Sequence, residues 1–271
     1  MKSTQESDYR KLCMDAMEVV KKGAAFVRER HENRDKLNIE VKGKHNFVTE
    51  VDKMAEEILV EGLSALLPEA GFIAEEGTRS TRGEHWNWII DPIDGTTNFI
   101  HGVFPFAISV GLSLDDEVVV GVIHEFGLDE YFYTWKGGGA WCNGKAISVS
   151  PALEVEASLV ATGFPYTNFK YLEGFMDSIH YFMKHSHGLR RLGSAATDIA
   201  YVACGRYDAF YEYGLSPWDI AAGLLLVEEA GGKSSDFRGQ SNPLFKEHLI
   251  VTNGHIQEEF QEACANIMLG E

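Results

Sequence analysis

Hydrophobic residues near the start of the chain have the spacing of a helix. From residue 9 to residue 27, apolar side chains recur every third or fourth position, and charged side chains occupy the positions between them. This pattern predicts an amphipathic helix with one buried face. The polar stretch over residues 28–45 predicts an exposed loop. Thr49, followed three residues later by Asp52, has the pattern of an acidic capping box and predicts a second helix that ends near Pro68.

From residue 72 onward the pattern is that of short strands. Five apolar runs are separated by turn residues, and they cover residues 72–74, 86–90, 106–112, 118–123 and 130–135. The three glycines at 137–139 and the Asn143-Gly144 pair predict a tight hairpin after the last of these runs. The sequence therefore predicts a β-rich region that follows two helices.

Beyond Pro151, strand patterns alternate with helix patterns. The predicted strands cover residues 158–162, 208–213 and 248–252, and the predicted helices cover residues 171–187, 194–203, 217–230 and 256–268. Because strands alternate with helices, this part is predicted to be α/β with a mostly parallel sheet. We therefore expect two units, an α+β half over residues 1–150 followed by an α/β half over residues 151–271.

The charge of the chain narrows the classes of function. The 271 residues include 24 Lys and Arg against 41 Asp and Glu, which gives a formal net charge of −17. This acidity argues against a protein that binds nucleic acid or anionic lipid, because both kinds of binding depend on Lys and Arg. An acidic enzyme can still bind a phosphate ester when metal cations lie between the two. Phosphate chemistry therefore stays open.

Cysteine usage and the N-terminal sequence favour a cytoplasmic protein. The four cysteines are scattered and form no CxxC pair, which is typical of reduced thiols. Residues 1–10 are polar and lack the apolar run of a secretory signal. No apolar stretch approaches the roughly 20 residues needed to span a bilayer.

Carboxylates follow predicted strands or open predicted helices in three short segments. In WIIDPIDGTTNF at 88–99, a buried strand ends at Asp91, and a turn places Asp94 three residues later. The residues that follow are predicted to open a helix, whose free amides suit an anion. Glu75 leaves another strand, and Asp219 stands at a predicted helix start. Carboxylates beside free amides can hold Mg²⁺ against a phosphate, although each segment alone is also compatible with an ordinary turn or helix cap.

Together these segments resemble the inositol monophosphatase family of magnesium-dependent, lithium-sensitive phosphatases. The motifs AEEG at 74–77, WIIDPIDGTTNF at 88–99 and PWDIAAG at 217–223 stand in the order of the family. Further similarity runs through VTEVD at 48–52 and ATGFPY at 161–166, and through residues 190–212. The resemblance implies a layered αβαβα sandwich, a homodimer, lithium inhibition, and hydrolysis of myo-inositol monophosphate with two or three Mg²⁺ ions.

The resemblance also implies roles for individual residues around the metals. Two ions would be held by carboxylates and one backbone carbonyl: Glu75, Asp91 and Ile93 for the first, and Asp91, Asp94 and Asp219 for the second. Glu75 and Asp52 would hold a weaker third ion through water. The hydroxyl of Thr96, oriented by Asp52, would position the attacking water. The implied catalytic set is therefore Asp52, Glu75 and Thr96.

On the substrate side, the resemblance implies that Gly95 and Thr96 offer their amides to the phosphate. Glu212 would bind hydroxyl groups of the substrate. The other implied substrate contacts are Asp94, Gly193, Ser194, Ala195 and Asp219. A lysine that approaches the site would be Lys42 or Lys44, and Asn46 stands where many relatives carry Asp, a departure that bears on affinity for the third ion.

Two alternatives to inositol monophosphate hydrolysis remain. Relatives with this fold act on fructose 1,6-bisphosphate or 3′-phosphoadenosine 5′-phosphate, although Glu212 and the GFPY segment favour a polyol pocket. The other alternative is a catalytically silent regulatory binding protein. The intact set Glu75, Asp91, Asp94, Thr96 and Asp219 argues against it, because such a protein has no physical reason to keep mutually repelling charges.

Overall fold

Helices and sheets alternate in five layers. The computed structural model describes residues 2–33, 39–43, 46–79, 81–166 and 168–270. In these residues α1 and α2 cover one face of a seven-stranded sheet, and α5 and α6 lie between that sheet and a five-stranded sheet. The helices α4 and α7 cover the far face of the five-stranded sheet. This αβαβα sandwich confirms the predicted fold class.

The helices of the described residues agree with the sequence pattern except at their ends. Their bounds are α1 Lys2–Glu32, α2 Glu50–Leu66, α3 Thr96–His101, α4 Leu172–His185, α5 Ala195–Ala203, α6 Pro217–Glu229 and α7 Gln257–Cys264. A short 3₁₀ turn covers Val155–Ala157, and a π-helical segment, Ala265–Leu269, continues α7. No helix in the described ranges is long and apolar enough to cross a bilayer.

Most strands also lie where apolar runs predict them. The strands of the seven-stranded sheet are β3 Gly71–Ala74, β4 Trp86–Asp94, β5 Ala107–Leu114, β6 Glu117–Glu125, β7 Glu130–Trp135, β8 Ala140–Cys142 and β9 Lys145–Ile147. They are neighbours in chain order, and only the β3–β4 pair is parallel. The turn between β8 and β9 is Asn143-Gly144, so the predicted hairpin is confirmed.

The five-stranded sheet is mixed, so the prediction of a mostly parallel sheet is wrong. Its strands, in spatial order, are β11 Gly188–Arg190, β10 Leu159–Thr162, β12 Ala209–Tyr213, β14 His248–Thr252 and β13 Lys233–Ser235. β10 is parallel to β11 and β12, whereas β14 is antiparallel to β12 and β13. The crossover through α6 therefore leads to β13, and β14 returns between β12 and β13. At three residues, β13 is too short to stand out as an apolar run.

The predicted loop over residues 28–45 is also partly wrong. The helix α1 continues to Glu32, and β1 Ile39–Gly43 pairs with β2 Asn46–Thr49 as an antiparallel hairpin. Ile39 and Val41 alternate with polar residues in the sequence, which is the period of a strand, although charged residues dominate the segment as a whole. Lys44 lies outside the described residues, so the choice between Lys42 and Lys44 stays open.

Small residues allow α6 to lie close to the seven-stranded sheet. A Cβ on Gly111 would stand 3.0 Å from the Cβ of Ala221, and a Cβ on Gly121 would stand 2.7 Å from the carbonyl oxygen of Ala222. Most of α6 is buried because it has a sheet on each side. This close packing places the start of α6, with Asp219, beside the end of β4.

Candidate active site

An acidic cluster lies where β4 ends. Asp91 and Asp94 are buried, and the pairing of β4 with β5 shifts register between them. Oxygen atoms of Asp91, Asp94 and Asp219 lie within 4.8 Å of one another, and no other group of three possible ligands of this kind occurs in the described residues. The backbone amide of Ile93 donates to Asp91 Oδ1 over 3.0 Å. The irregular end of β4 therefore brings two carboxylates to one point, where Asp219 meets them.

Helix capping positions Asp219 in the cluster, and parallel strand pairing positions Glu75 beside it. Asp219 is in the first turn of α6, and the backbone amide of Ser216 donates to its Oδ2 over 2.6 Å in a capping box. Glu75 follows β3, which is parallel to β4, and its amide donates to the carbonyl of Ile90 over 3.2 Å. Because the two parallel strands end together, Glu75 lies beside Asp91, and its charge adds to the effect of burial in raising the pKa of Asp91.

Burial and mutual repulsion shift the titration of the whole cluster. Burial, followed by the charge of Asp219, raises the pKa of Glu75 to about 8. Burial likewise raises the pKa of Asp219 to about 7 and that of Asp94 to about 6, and it raises the pKa of Asp91 well above its usual range. Such a group of oxygen donors is stable in its charged form only beside cations. It therefore fits a hard divalent ion such as Mg²⁺.

Thr96 connects this cluster to α2. Its hydroxyl lies 3.1 Å from Oδ1 of the fully buried Asp52 and 3.0 Å from the carbonyl oxygen of Ile93. Thr96 is the first residue of α3, and Gly95 precedes it with a φ of 89°. A Cβ on Gly95 would also stand 3.0 Å from the carbonyl oxygen of Gly193. Both the backbone conformation and the close approach therefore favour glycine at this position.

The start of α5 holds Asp94 in place. Ser194 is the N-cap of α5, and its hydroxyl donates to Asp94 Oδ2 over 2.6 Å. The amide of Ala196 donates to the same oxygen over 2.8 Å, and the amide of Thr197 donates to Ser194 Oγ over 3.3 Å. The side chain of Ser194 is therefore buried and directed to Asp94, while Ser194 also lines the cavity at the side where the sequence predicts it.

Glu212 lies at the end of β12, across from the acidic cluster. Burial raises its pKa well above the usual range, with a further contribution from the charge of Asp219. β10 is parallel to β12, and Gly163 follows β10 directly. A Cβ on Gly163 would overlap the carboxylate of Glu212. Glycine at 163 therefore leaves the space that the Glu212 carboxylate occupies.

One cavity of about 300 Å³ brings most of the predicted residues together. We call the side formed by Glu75, Asp91, Asp94 and Asp219 the β4 end, and the side formed by Asp198 and Glu212 the β12 end. Nine predicted residues line the cavity: Glu75, Asp94, Gly95, Thr96, Gly193, Ser194, Ala195, Glu212 and Asp219. Asp52, Asp91 and Ile93 do not line it, but each contacts a residue of the site from behind.

Two charged residues of this cavity are missing from the sequence prediction. The Arg191 guanidinium stacks 4.9 Å from the ring centre of Phe164 and 5.5 Å from that of Tyr166, to whose hydroxyl it donates. Asp198 is buried in the first turn of α5. It follows Ala195 by three residues, and this spacing places both on one face of a helix. That spacing is the signal by which the sequence could have indicated Asp198.

Comparisons with known proteins agree along most of the chain. A sequence model of the inositol monophosphatase family matches residues 8–269. The inositol-1-monophosphatase of Mesorhizobium japonicum is 40% identical over 228 residues, which cover 84% of this chain and 86% of that protein. The Nus factor SuhB of Pseudomonas aeruginosa is 40% identical over 227 residues, which cover 82% and 84%. The solved structure of extragenic suppressor protein suhB from Bartonella henselae aligns with a TM-score of 0.88 and 35% identity, covering 93% and 97%.

Proposed function

This chain belongs to the inositol monophosphatase family, and on that premise we propose that it hydrolyses myo-inositol monophosphate to myo-inositol and phosphate with Mg²⁺. As a member of the family it is a phosphoric monoester hydrolase. The observation that supports the substrate is that one cavity joins the acidic cluster to Glu212. The cluster suits a cation and its phosphate, and Glu212 suits the hydroxyl groups of a polyol.

The family is metal-dependent, and the oxygen donors of the β4 end fit Mg²⁺. The proposed ligands of two ions are Glu75, Asp91 and the carbonyl of Ile93 for one, and Asp91, Asp94 and Asp219 for the other. Asp52 and Glu75 would hold a weaker third ion through water. When bound, Mg²⁺ neutralises charge on the phosphoryl group and lowers the pKa of water.

The remaining groups orient water and phosphate. The Thr96 hydroxyl has one proton, and Asp52 and the Ile93 carbonyl both lie within reach as acceptors. Its lone pairs are therefore left to accept a hydrogen bond from the attacking water. The amides of Gly95 and Thr96 bind phosphoryl oxygens, and Ser194 fixes the direction in which Asp94 faces.

The two halves of the chain divide this work in the proposal. Residues 1–150 supply the Glu75 segment and the DPIDGTTNF segment, and residues 151–271 supply Glu212 and Asp219. We further propose a cytoplasmic homodimer that lithium inhibits at the site formed by Asp91, Asp94 and Asp219. A magnesium-dependent activity that millimolar LiCl leaves unchanged would contradict the lithium part.

Phosphate release from three esters tests the substrate. We would measure myo-inositol 1-phosphate, fructose 1,6-bisphosphate and 3′-phosphoadenosine 5′-phosphate in parallel, each with Mg²⁺ and with EDTA. The proposal predicts turnover that depends on Mg²⁺, is strongest on the inositol ester and is lost in Asp94→Asn. Faster turnover of another ester would be consistent with the proposed metal chemistry but would contradict the proposed substrate.

A role as a Nus factor is the second candidate. The observation that favours it is that a relative named Nus factor SuhB is as similar to this chain as one named inositol-1-monophosphatase, at 40% identity in both cases. Asp94→Asn separates the two functions in a strain that lacks this chain. Rescue of the strain by the inactive variant would favour a role that does not need hydrolysis, and failure of rescue would favour catalysis.

A further inference from the structure

A second buried carboxylate faces the cavity at its β12 end. Asp198 is 1% exposed, and it lines the same cavity as Glu212. Its Oδ1 is buried and accepts no hydrogen bond from the residues that the structure describes. An unpaired buried acceptor is costly unless a ligand or an ordered water fills it. Asp198 therefore offers an unused acceptor to a ligand group or a water in the cavity.

The elements around Asp198 show what kind of partner fits. Ser194 and the amide of Ala196, on the same first turn of α5, already bind Asp94 of the β4 end. Asp198 belongs to no cluster of possible metal ligands in the described residues, so a cation is not the expected occupant. Burial raises the pKa of both Asp198 and Glu212 well above the usual range, and the charge of Arg191, a lining residue of the cavity, opposes this rise. A neutral hydrogen-bond donor, such as a hydroxyl group, fits an acceptor in this position.

We propose that Asp198 accepts a hydrogen bond from a second hydroxyl of the substrate, beside the hydroxyl that Glu212 binds. This inference rests on the proposed phosphatase function and adds a specificity determinant to it. A substrate with two hydroxyls on its leaving group fills both acceptors, whereas a phosphate ester of a simple alcohol leaves both unpaired. Sites built to bind a hydroxyl reject the analogue that lacks it for this reason. The β12 end therefore selects polyol phosphates over esters of simple alcohols.

A matched pair of substrates isolates this effect. Myo-inositol 1-phosphate and cyclohexyl phosphate have the same six-membered ring, but only the first has further hydroxyls. At saturating Mg²⁺, Asp198→Ala is expected to raise KM for the inositol ester about tenfold, the effect of one lost hydrogen bond to a carboxylate. Its kcat/KM for cyclohexyl phosphate is expected not to fall and to rise where the unpaired carboxylate had penalised binding, because the variant removes that carboxylate. Asp198→Asn keeps an acceptor oxygen, so we expect a smaller rise in KM.

Controls separate binding from structure. Asp177 is an exposed aspartate on α4. The variant Asp177→Asn is expected to leave KM and kcat/KM unchanged for both esters. Equal losses on both esters in Asp198→Ala, together with a lower Tm, would assign Asp198 to the stability of α5 and overturn the inference. If Asp198→Ala does not fold, the ratio of kcat/KM for the two esters in Asp198→Asn decides, since an unchanged ratio contradicts the proposal.

Hydrolysis of the two esters by the wild-type protein distinguishes failure of the proposed function from failure of the proposed role of Asp198. If it hydrolyses neither ester with Mg²⁺, the proposed function fails and this inference fails with it. If it hydrolyses both esters and Asp198→Ala leaves their ratio unchanged, only the role of Asp198 is overturned.

Discussion

The β4 end and the β12 end of the cavity both bury carboxylates, but their surroundings differ. At the β4 end, Asp91, Asp94 and Asp219 each accept a hydrogen bond from a backbone amide, so their oxygens are fixed before any ligand arrives. At the β12 end, Asp198 has a buried oxygen that no described residue binds. The β4 end is thus a preformed site for cations. The β12 end has hydrogen-bond acceptors whose donors come from a bound substrate.

Single substitutions at the two ends of the cavity are expected to differ most in whether they affect one ester or both. Asp219→Asn removes a charged metal ligand, so we expect kcat to fall on the order of 100-fold or more on both esters, because even outer-shell partners of a metal cost 10–100-fold. Glu212→Gln is expected to lower kcat/KM for the inositol ester and to leave kcat/KM for cyclohexyl phosphate unchanged. Steady-state kinetics at several Mg²⁺ concentrations measure both. A loss confined to one ester in Asp219→Asn would contradict the division.

Gly163→Ala tests the β12 end without changing a polar group. The added methyl overlaps the Glu212 carboxylate, so we expect KM for the inositol ester to rise about tenfold, in line with overpacking of a filled site. The double variant with Glu212→Ala is the control, because Glu212→Ala removes the atoms that the methyl overlaps. If Gly163 acts only through Glu212, the double variant has a KM no higher than that of Glu212→Ala alone. Additive losses would show that residue 163 has a separate role.

Ser194→Ala tests the link between α5 and the β4 end. The hydroxyl that donates to Asp94 is lost, and we expect the Mg²⁺ concentration for half-maximal activity to rise about tenfold, as for other groups that orient a metal ligand. The kcat at saturating Mg²⁺ should stay near the wild-type value. Ser194→Thr keeps a hydroxyl and is the matched variant. Equal effects of Ala and Thr would contradict a role through the hydroxyl.

The stability of the metal-free protein is expected to depend on pH, which is measured as a shift in Tm. The pKa values of Glu75, Asp94 and Asp219 in the folded chain are raised to about 8, 6 and 7. Between about pH 4 and pH 8 the folded chain therefore binds more protons than the unfolded chain, and raising the pH through this window lowers the free energy of unfolding. In EDTA we expect a lower Tm at pH 8 than at pH 5.

Two comparisons check that the acidic cluster causes this slope. Mg²⁺ should flatten it, because a bound cation stabilises the charged form of the carboxylates. Asp219→Asn removes one of the raised groups and should give a shallower slope in EDTA. A Tm in EDTA that rises from pH 5 to pH 8 by the same amount in both proteins would contradict the account.

The β4 end was more predictable from sequence than the β12 end, and the reason is physical. Asp91 and Asp94 stand in one short segment at the end of a predicted strand, so the local pattern brings them close together, and the family resemblance gives them their expected role as metal ligands. Asp198, by contrast, stands in a helix start, where an acidic residue is favoured by the helix dipole whatever its function. The contact between Gly163 and Glu212 depends on two parallel strands that are distant in sequence.

The fold, too, could be predicted only as far as local sequence patterns determine it. Periodicity located the helices and the longer strands, because each element buries a face through its own repeat. It did not reveal β13, which has three residues, and without β13 the direction of β14 could not be derived. It also did not reveal β1, since its alternation covers few residues. Strand direction follows from connections across the sheet, which no local pattern encodes.

Calorimetric titration of Mg²⁺ into the wild-type protein and Asp91→Asn, each with inorganic phosphate present, tests whether the acidic cluster at the end of β4 is the metal site. Asp91 is the proposed ligand of both principal ions and lies behind the cavity, so its substitution leaves the lining side chains in place. The account predicts Mg²⁺ binding to the wild type, much weaker binding to Asp91→Asn, and a Tm in EDTA that is equal or higher in the variant because a buried charge is gone. Equal Mg²⁺ binding by both proteins would show that the acidic cluster at the end of β4 is not the metal site.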